Sequence, residues 1–155
     1  MAFQITSPEF TEGQPIPAKY TCEGENISHA LAWADVPPKT LSFVLINDDP
    51  DCSGDPWVHW LIYNIPSASR GLPESVPPKE DLPDGTLQGT NSFEKVGYGG
   101  PCPPTGTHRY FFKLYALDQL LPLPPRATRT QLDTAMKGHI LGQAQLMGTY
   151  RKKAR

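Results

Sequence analysis

Two histidines, an aspartate and two large aromatic residues stand at the ends of apolar runs in this chain, and such a set suits either an anion pocket or a proton-transfer site. They fall in three segments: residues 45–51 (Leu-Ile-Asn-Asp-Asp-Pro-Asp), residues 57–63 (Trp-Val-His-Trp-Leu-Ile-Tyr) and residues 99–112, where a glycine- and proline-rich stretch runs into His108, Arg109 and Tyr110. Side chains alternate across a strand, so Asp49 is expected to share a face with Leu45 and Phe43, His59 with Trp57 and Leu61, and His108 with Tyr110 and Phe112. One sheet can then gather Asp49, Trp57, His59, His108 and Tyr110 into one pocket.

The chemistry follows from residue types. A carboxylate close to an imidazole favours the imidazolium, so Asp49 is expected to keep His59 charged toward an anion, with His108 as a second donor. Gly97, Gly99 and Gly100 let the backbone approach a ligand closely, in the manner of the concave nests that hold phosphate oxygens. Trp57 and Tyr110 supply an apolar wall with one hydroxyl. Taken singly, each histidine, the Asp-Pro-Asp turn and the glycines are ordinary structural features; it is the combination that points to a site.

An enzyme is the competing class, because two histidines and a carboxylate also satisfy a facial-triad metal site, and Asp49 with His59 could act as a base and its orienter. The alternative is therefore a metal-dependent or His/Asp hydrolase using Asp49, His59 and His108. Neither a His-Glu-x-x-His nor a Gly-x-Ser-x-Gly motif occurs, and the nearest nucleophiles are Cys52, Ser53, Cys102 and Thr105. The expectation is a binding protein that is not an enzyme and needs no metal or cofactor.

The elements that must position these residues are strands. Runs rich in aromatic and branched residues at 2–7, 31–33, 41–48, 58–65 and 109–117 are bounded by turn formers drawn from 18 prolines and 13 glycines. Residues 67–97 read as a long loop wrapped on the sheet. Thr128 or Thr130 can cap a short helix holding Leu132, Ala135 and Met136, ended by Gly138, and alternation resumes at Gln143 for a last strand to about Tyr150. With 155 residues, residues 1–155 form one mostly-β domain.

Composition narrows the partners. A formal net charge of -2, with basic residues scattered except at the last five positions, lacks the footprint of a nucleic-acid binder. The start of the chain shows no basic-then-apolar leader and no apolar stretch long enough for a membrane helix, so a cytoplasmic location is the expectation. Cys22, Cys52 and Cys102 are odd in number and widely spaced, and are expected to be isolated small hydrophobes. Cys52 and Cys102 both flank the pocket, which leaves open a bridge between them or a reactive thiol.

These segments in this order resemble the phosphatidylethanolamine-binding protein family, also called Raf kinase inhibitor-like proteins, in its short bacterial and archaeal branch. Residues 20–28 (Tyr-Thr-Cys-Glu-Gly-Glu-Asn-Ile-Ser) are similar to that branch's N-terminal signature, and residues 138–150 to its C-terminal end. The resemblance implies a β-sandwich with a large central antiparallel sheet and a smaller one, and one or two short helices near the C-terminus. It implies a pocket for phosphate-type groups, formed by Asp49, Trp57, His59, His108 and Tyr110 with the Gly100-Pro101 rim. Implied ligands are a phospholipid head group, a phosphorylated residue or a small phosphate ester, and implied roles are lipid binding and modulation of a kinase or protease, in a protein that is a homodimer in several members. The chain departs from the family pattern at Cys52-Ser53-Gly54, where alanine and proline are usual, and at His29, where proline is common.

Overall fold

The computed structural model describes residues 2–153. Eight strands and one α-helix follow in order: β1 (Gln4–Thr6), β2 (Leu31–Ala34), β3 (Ser42–Asp49), β4 (Trp57–Pro66), β5 (Gly71–Leu72), β6 (Leu87–Gln88), β7 (His108–Leu117), α1 (Arg129–Met136) and β8 (Ile140–Tyr150). They make a three-stranded sheet β1-β2-β5 and a five-stranded sheet β6-β4-β3-β7-β8, with every strand pair antiparallel. The long 67–97 segment contributes two short strands, β5 and β6, to the edges of the two sheets. The last strand starts at Ile140, three residues before the alternation that marks it in the sequence.

β3 occupies the middle of the large sheet and all eight of its residues are buried. Phe43 and Leu45 pack inward with Trp33, Trp60, Phe112 and Leu114 between the two sheets. Val44 and Ile46 pack outward with Val58, Leu61, Leu132 and Met136 under α1. Apolar surface is thus removed from water on both sides, at roughly 25 cal/mol per Å². Thr128, rather than Thr130, caps α1: its hydroxyl accepts from the Gln131 backbone N–H while the Gln131 side chain accepts from the Thr128 N–H.

The cysteines depart from expectation. Cys22 and Cys102 form a disulfide with Cα atoms 5.4 Å apart, and Cys52 is the free thiol. The turn after the 3-10 segment Ala18–Tyr20 docks on the loop before β7: Cys22 N–H donates to Pro101 O (3.1 Å), Gly100 N–H to Asn26 Oδ1 (2.8 Å) and Tyr98 Oη to Tyr20 O (2.6 Å). Sequence spacing carried no sign of this, because the two cysteines lie 80 residues apart and meet through the docking of these two loops. No described peptide bond is cis.

Closing a loop of this length restricts the unfolded chain, and such bridges are typically worth about 2–4 kcal/mol. Urea denaturation with and without a strong reductant is expected to show a loss of that order, with the slope changed because the reduced unfolded chain expands. An unchanged midpoint would contradict a stabilising bridge.

Candidate functional site

The site is built where β3 ends, β4 begins and β7 begins. Asp49 pairs with Trp57 across the β3–β4 ladder, and the ladder between β3 and β7 brings His108 and Tyr110 to the same end. Asn47 pairs with Trp60 but Asp48 with Val58, so β4 carries one more residue than β3 at this point, and that residue is His59. The bulge breaks the alternation. Val58 and Leu61 face the helix-side core, while Trp60 joins the inner core and the His59 ring lies 5.2 Å from Tyr110. His59 therefore shares its side with Trp57 but not with Leu61, as simple alternation had required.

Each imidazole is held by Nδ1. His59 Nδ1 donates to Gly99 O (2.6 Å) and His108 Nδ1 donates to Asp49 Oδ2 (2.7 Å). A carbonyl can only accept, so Nδ1 of His59 carries the proton and Nε2 is left toward the cavity. Asp49 Oδ1 accepts from the Asp51 N–H (2.7 Å), and Asp51 in turn takes hydrogen bonds from Arg109 N (2.8 Å), Nε (2.9 Å) and Nη2 (2.8 Å). Those bonds from Arg109 hold the Asp51 carboxyl down to about 2.

Asp49 thus orients His108 and not His59, a correction to the expected pairing. Burial pushes the His59 imidazole below its ordinary value, outweighing the opposite pull of the Gly99 carbonyl and the Asp49 charge. At neutral pH this ring is neutral. Burial also pushes the Tyr110 phenol up, so it stays a donor.

A cavity of about 220 Å³ brings together all five of the expected side chains, Asp49, Trp57, His59, His108 and Tyr110. Gly100 and Pro101 do not line it; both are buried behind the wall. The glycines form no nest, since the Gly99 N–H donates to His59 O and that of Gly100 to Asn26. They are required by crowding: a Cβ on Gly100 would lie 2.3 Å from Tyr20 O, and one on Gly99 2.6 Å from the Phe93 ring.

Sequence reasoning missed Phe93, Pro103 and Pro104, which complete the apolar wall with Cys52 and Cys102. Phe93 is aimed by Asn91, whose Oδ1 accepts from the N–H of Phe93 (2.9 Å) and of Lys95 (3.1 Å), and whose Nδ2 donates to Gly97 O (2.9 Å). Ser92 stitches this loop to β4 through reciprocal bonds with the Val58 backbone. In the sequence this is an Asn two residues before a lone Phe in a loop, with no periodicity to mark it.

Comparison with known proteins shows the family. Residues 6–151 match the sequence pattern of the family described as phosphatidylethanolamine-binding protein. This chain belongs to that family. A UPF0098 protein of Methanothermobacter thermautotrophicus is 52% identical over 92% of this chain and 95% of its own length, and one of Aquifex aeolicus is 47% identical over 96% and 88%. Among solved structures, a protein of Chlamydia trachomatis described as a homologue of the family superposes with a TM-score of 0.91 at 43% identity, covering 98% of this chain and 99% of that one. Escherichia coli YbcL, described as a member of the mammalian PEBP family, gives 0.90 at 33% identity over 99% and 100%. The two-sheet architecture and the family expected from the sequence both hold. Among the described residues, no helix is long and apolar enough to cross a membrane.

A second buried imidazole, His29, sits between the sheets against Phe10, Tyr20 and Phe112, and burial lowers its pKa to about 4. The unfolded chain protonates histidine near 6.5, so between about 6.5 and 4 it binds a proton that native His29 refuses. Stability is complete above that window and falls as pH falls through it, by about 3 kcal/mol for His29 at 1.36 kcal/mol per unit. His59 adds in the same direction. Urea midpoints at pH 7.5 and 4.5 are expected to separate widely for the wild type and less for His29→Phe; equal separations would contradict this account.

Proposed function

We propose that this family member is a non-catalytic binding protein whose pocket captures a phosphate-type anion. The observation that carries the reading is the convergence of His59 and His108, each fixed through Nδ1, with Tyr110 on one small cavity walled by apolar side chains. Fixed Nδ1 partners leave two ring nitrogens and a phenol to address the same oxygens at little ordering cost. About 220 Å³ admits a phosphoryl head group but not a drug-sized molecule.

A neutral His59 presents a lone pair at Nε2. An anion therefore enters either with a proton of its own, as a phosphate monoester monoanion does, or with a proton taken up onto the ring. Phosphate esters lose their second proton near pH 6, so affinity is expected to fall as pH rises from about 6 to 8. Phospholipid head groups, phosphorylated side chains and free esters share this chemistry, and a regulatory role would follow from capture of such a group.

A hydrolytic reading draws support from the Asp49–His108 pair, which resembles an oriented base. Binding is favoured because, among the described residues, no hydrogen bond links His108 to a hydroxyl or thiol and no three His, Cys, Asp or Glu side chains are grouped to hold a metal.

Calorimetric titration of phosphate and O-phosphoethanolamine, with metal chelated, tests the proposal. Saturable binding by the wild type at pH 6, weakened at least tenfold in His59→Ala and at pH 8, is the expected result. No binding, equal affinity in the variant, or turnover of the ester would overturn it.

A further inference from the structure

Cys52 and Cys102 line the same cavity, Cys102 is already bonded to Cys22, and Cys52 is a free, half-buried thiol. A thiol and a disulfide sulfur facing one space of about 220 Å³ have the components of thiol–disulfide exchange. We propose that this wall of the pocket is an exchange site, in which Cys52 attacks Cys102 and moves the crosslink from Cys22 to itself.

The step is balanced without an outside reagent. The Cys52 proton passes to solvent and its thiolate forms a new S–S bond with Cys102 Sγ; the Cys22–Cys102 bond breaks, and Cys22 leaves as a thiolate that takes a proton back. One disulfide and one thiol stand on each side, so no oxidant or reductant is consumed.

The surroundings allow the movement this needs. Cys52 lies in the turn between β3 and β4, and its Sγ is hydrogen-bonded to carbonyls of that turn, Asp49 O (3.4 Å) and Asp55 O (3.2 Å). Gly54, two residues on, has φ +86° with nothing within 4 Å of where a Cβ would lie, so the turn can bend there. On the other side, among the described residues, no hydrogen bond outside the strand ladders reaches residues 103–107, which follow Cys102 directly. Cys22 stays close after leaving, because its own N–H is bonded to Pro101 O and Gly100 remains bonded to Asn26. The reverse step is therefore equally available.

Exchange has a consequence for access. A Cys22–Cys102 bond ties the wall back against the 18–26 turn and leaves the cavity open, whereas a Cys52–Cys102 bond spans it. The inference concerns the cysteines alone and holds whatever ligand the cavity takes.

Native wild-type protein held at pH 8.5, quenched with acid, alkylated and mapped by non-reducing peptide mass spectrometry tests it. The expected result is a fraction of molecules crosslinked 52–102 with the alkyl label on Cys22, absent from Cys52→Ser. Label on Cys52 alone, with only the 22–102 crosslink after prolonged incubation, would overturn the proposal. In Cys22→Ser, oxidised glutathione is expected to close a 52–102 bridge, while glutathione retained on both cysteines would contradict it. The wild-type experiment decides alone where that variant folds poorly.

Discussion

A fully buried strand that ends in two consecutive carboxylates is the constraint around which this molecule is arranged. β3 is buried on both faces, and alternation sends Asp48 to one side and Asp49 to the other. Buried charge is costly unless it is paired and hydrogen-bonded. Asp48 is met by Lys113 Nζ (3.1 Å) from β7 and by Arg129 (2.9 Å), the first residue of α1. Asp49 is met by His108 (2.7 Å), the first residue of β7. One carboxylate thus fixes the helix to the outer face of the sheet. Its neighbour fixes an imidazole at the mouth of the inner face, where that ring lines the pocket.

The remainder of the site depends on a local irregularity in β4. Without the extra residue at His59, regular pleating could not turn both His59 and Trp60 toward the inner face. The bulge leaves Trp60 in the inter-sheet core, where its Nε1 donates to Gln88 Oε1 (2.7 Å), and sets His59 one step nearer the opening. Gln88 in turn donates to Pro77 O and Lys79 O, so a polar side chain inside the core also pins the long 67–97 segment that carries Phe93. Core packing and pocket wall are therefore two ends of one hydrogen-bonded structure.

Much of this was legible in the sequence. Branched and aromatic runs located β3, β4 and β7 to within a residue or two, and the period of two placed Asp49 and Tyr110 on one face. The same rule failed at His59 and Leu61, because a bulge leaves no mark on composition. It also paired Asp49 with His59 rather than His108, since that choice depends on the register between β3 and β7. The glycines before Cys102 were read as ligand-facing, yet Gly100 is needed for close approach to Tyr20 and Asn26. The Cys22–Cys102 bridge was invisible for a related reason: its partners are brought together by the packing of two loops rather than by any spacing along the chain.

The central claim is that both pocket imidazoles are locked through Nδ1 and present Nε2 to the ligand. Long-range proton–nitrogen NMR on nitrogen-labelled protein at pH 7.5, with and without phosphate, tests this most directly. The account predicts that the ring-nitrogen shifts of His59 report a proton on Nδ1 and a bare Nε2, and that phosphate moves the Nε2 resonances of His59 and His108 toward the protonated range. Protons on Nε2 of both rings, or nitrogen shifts indifferent to phosphate, would contradict it.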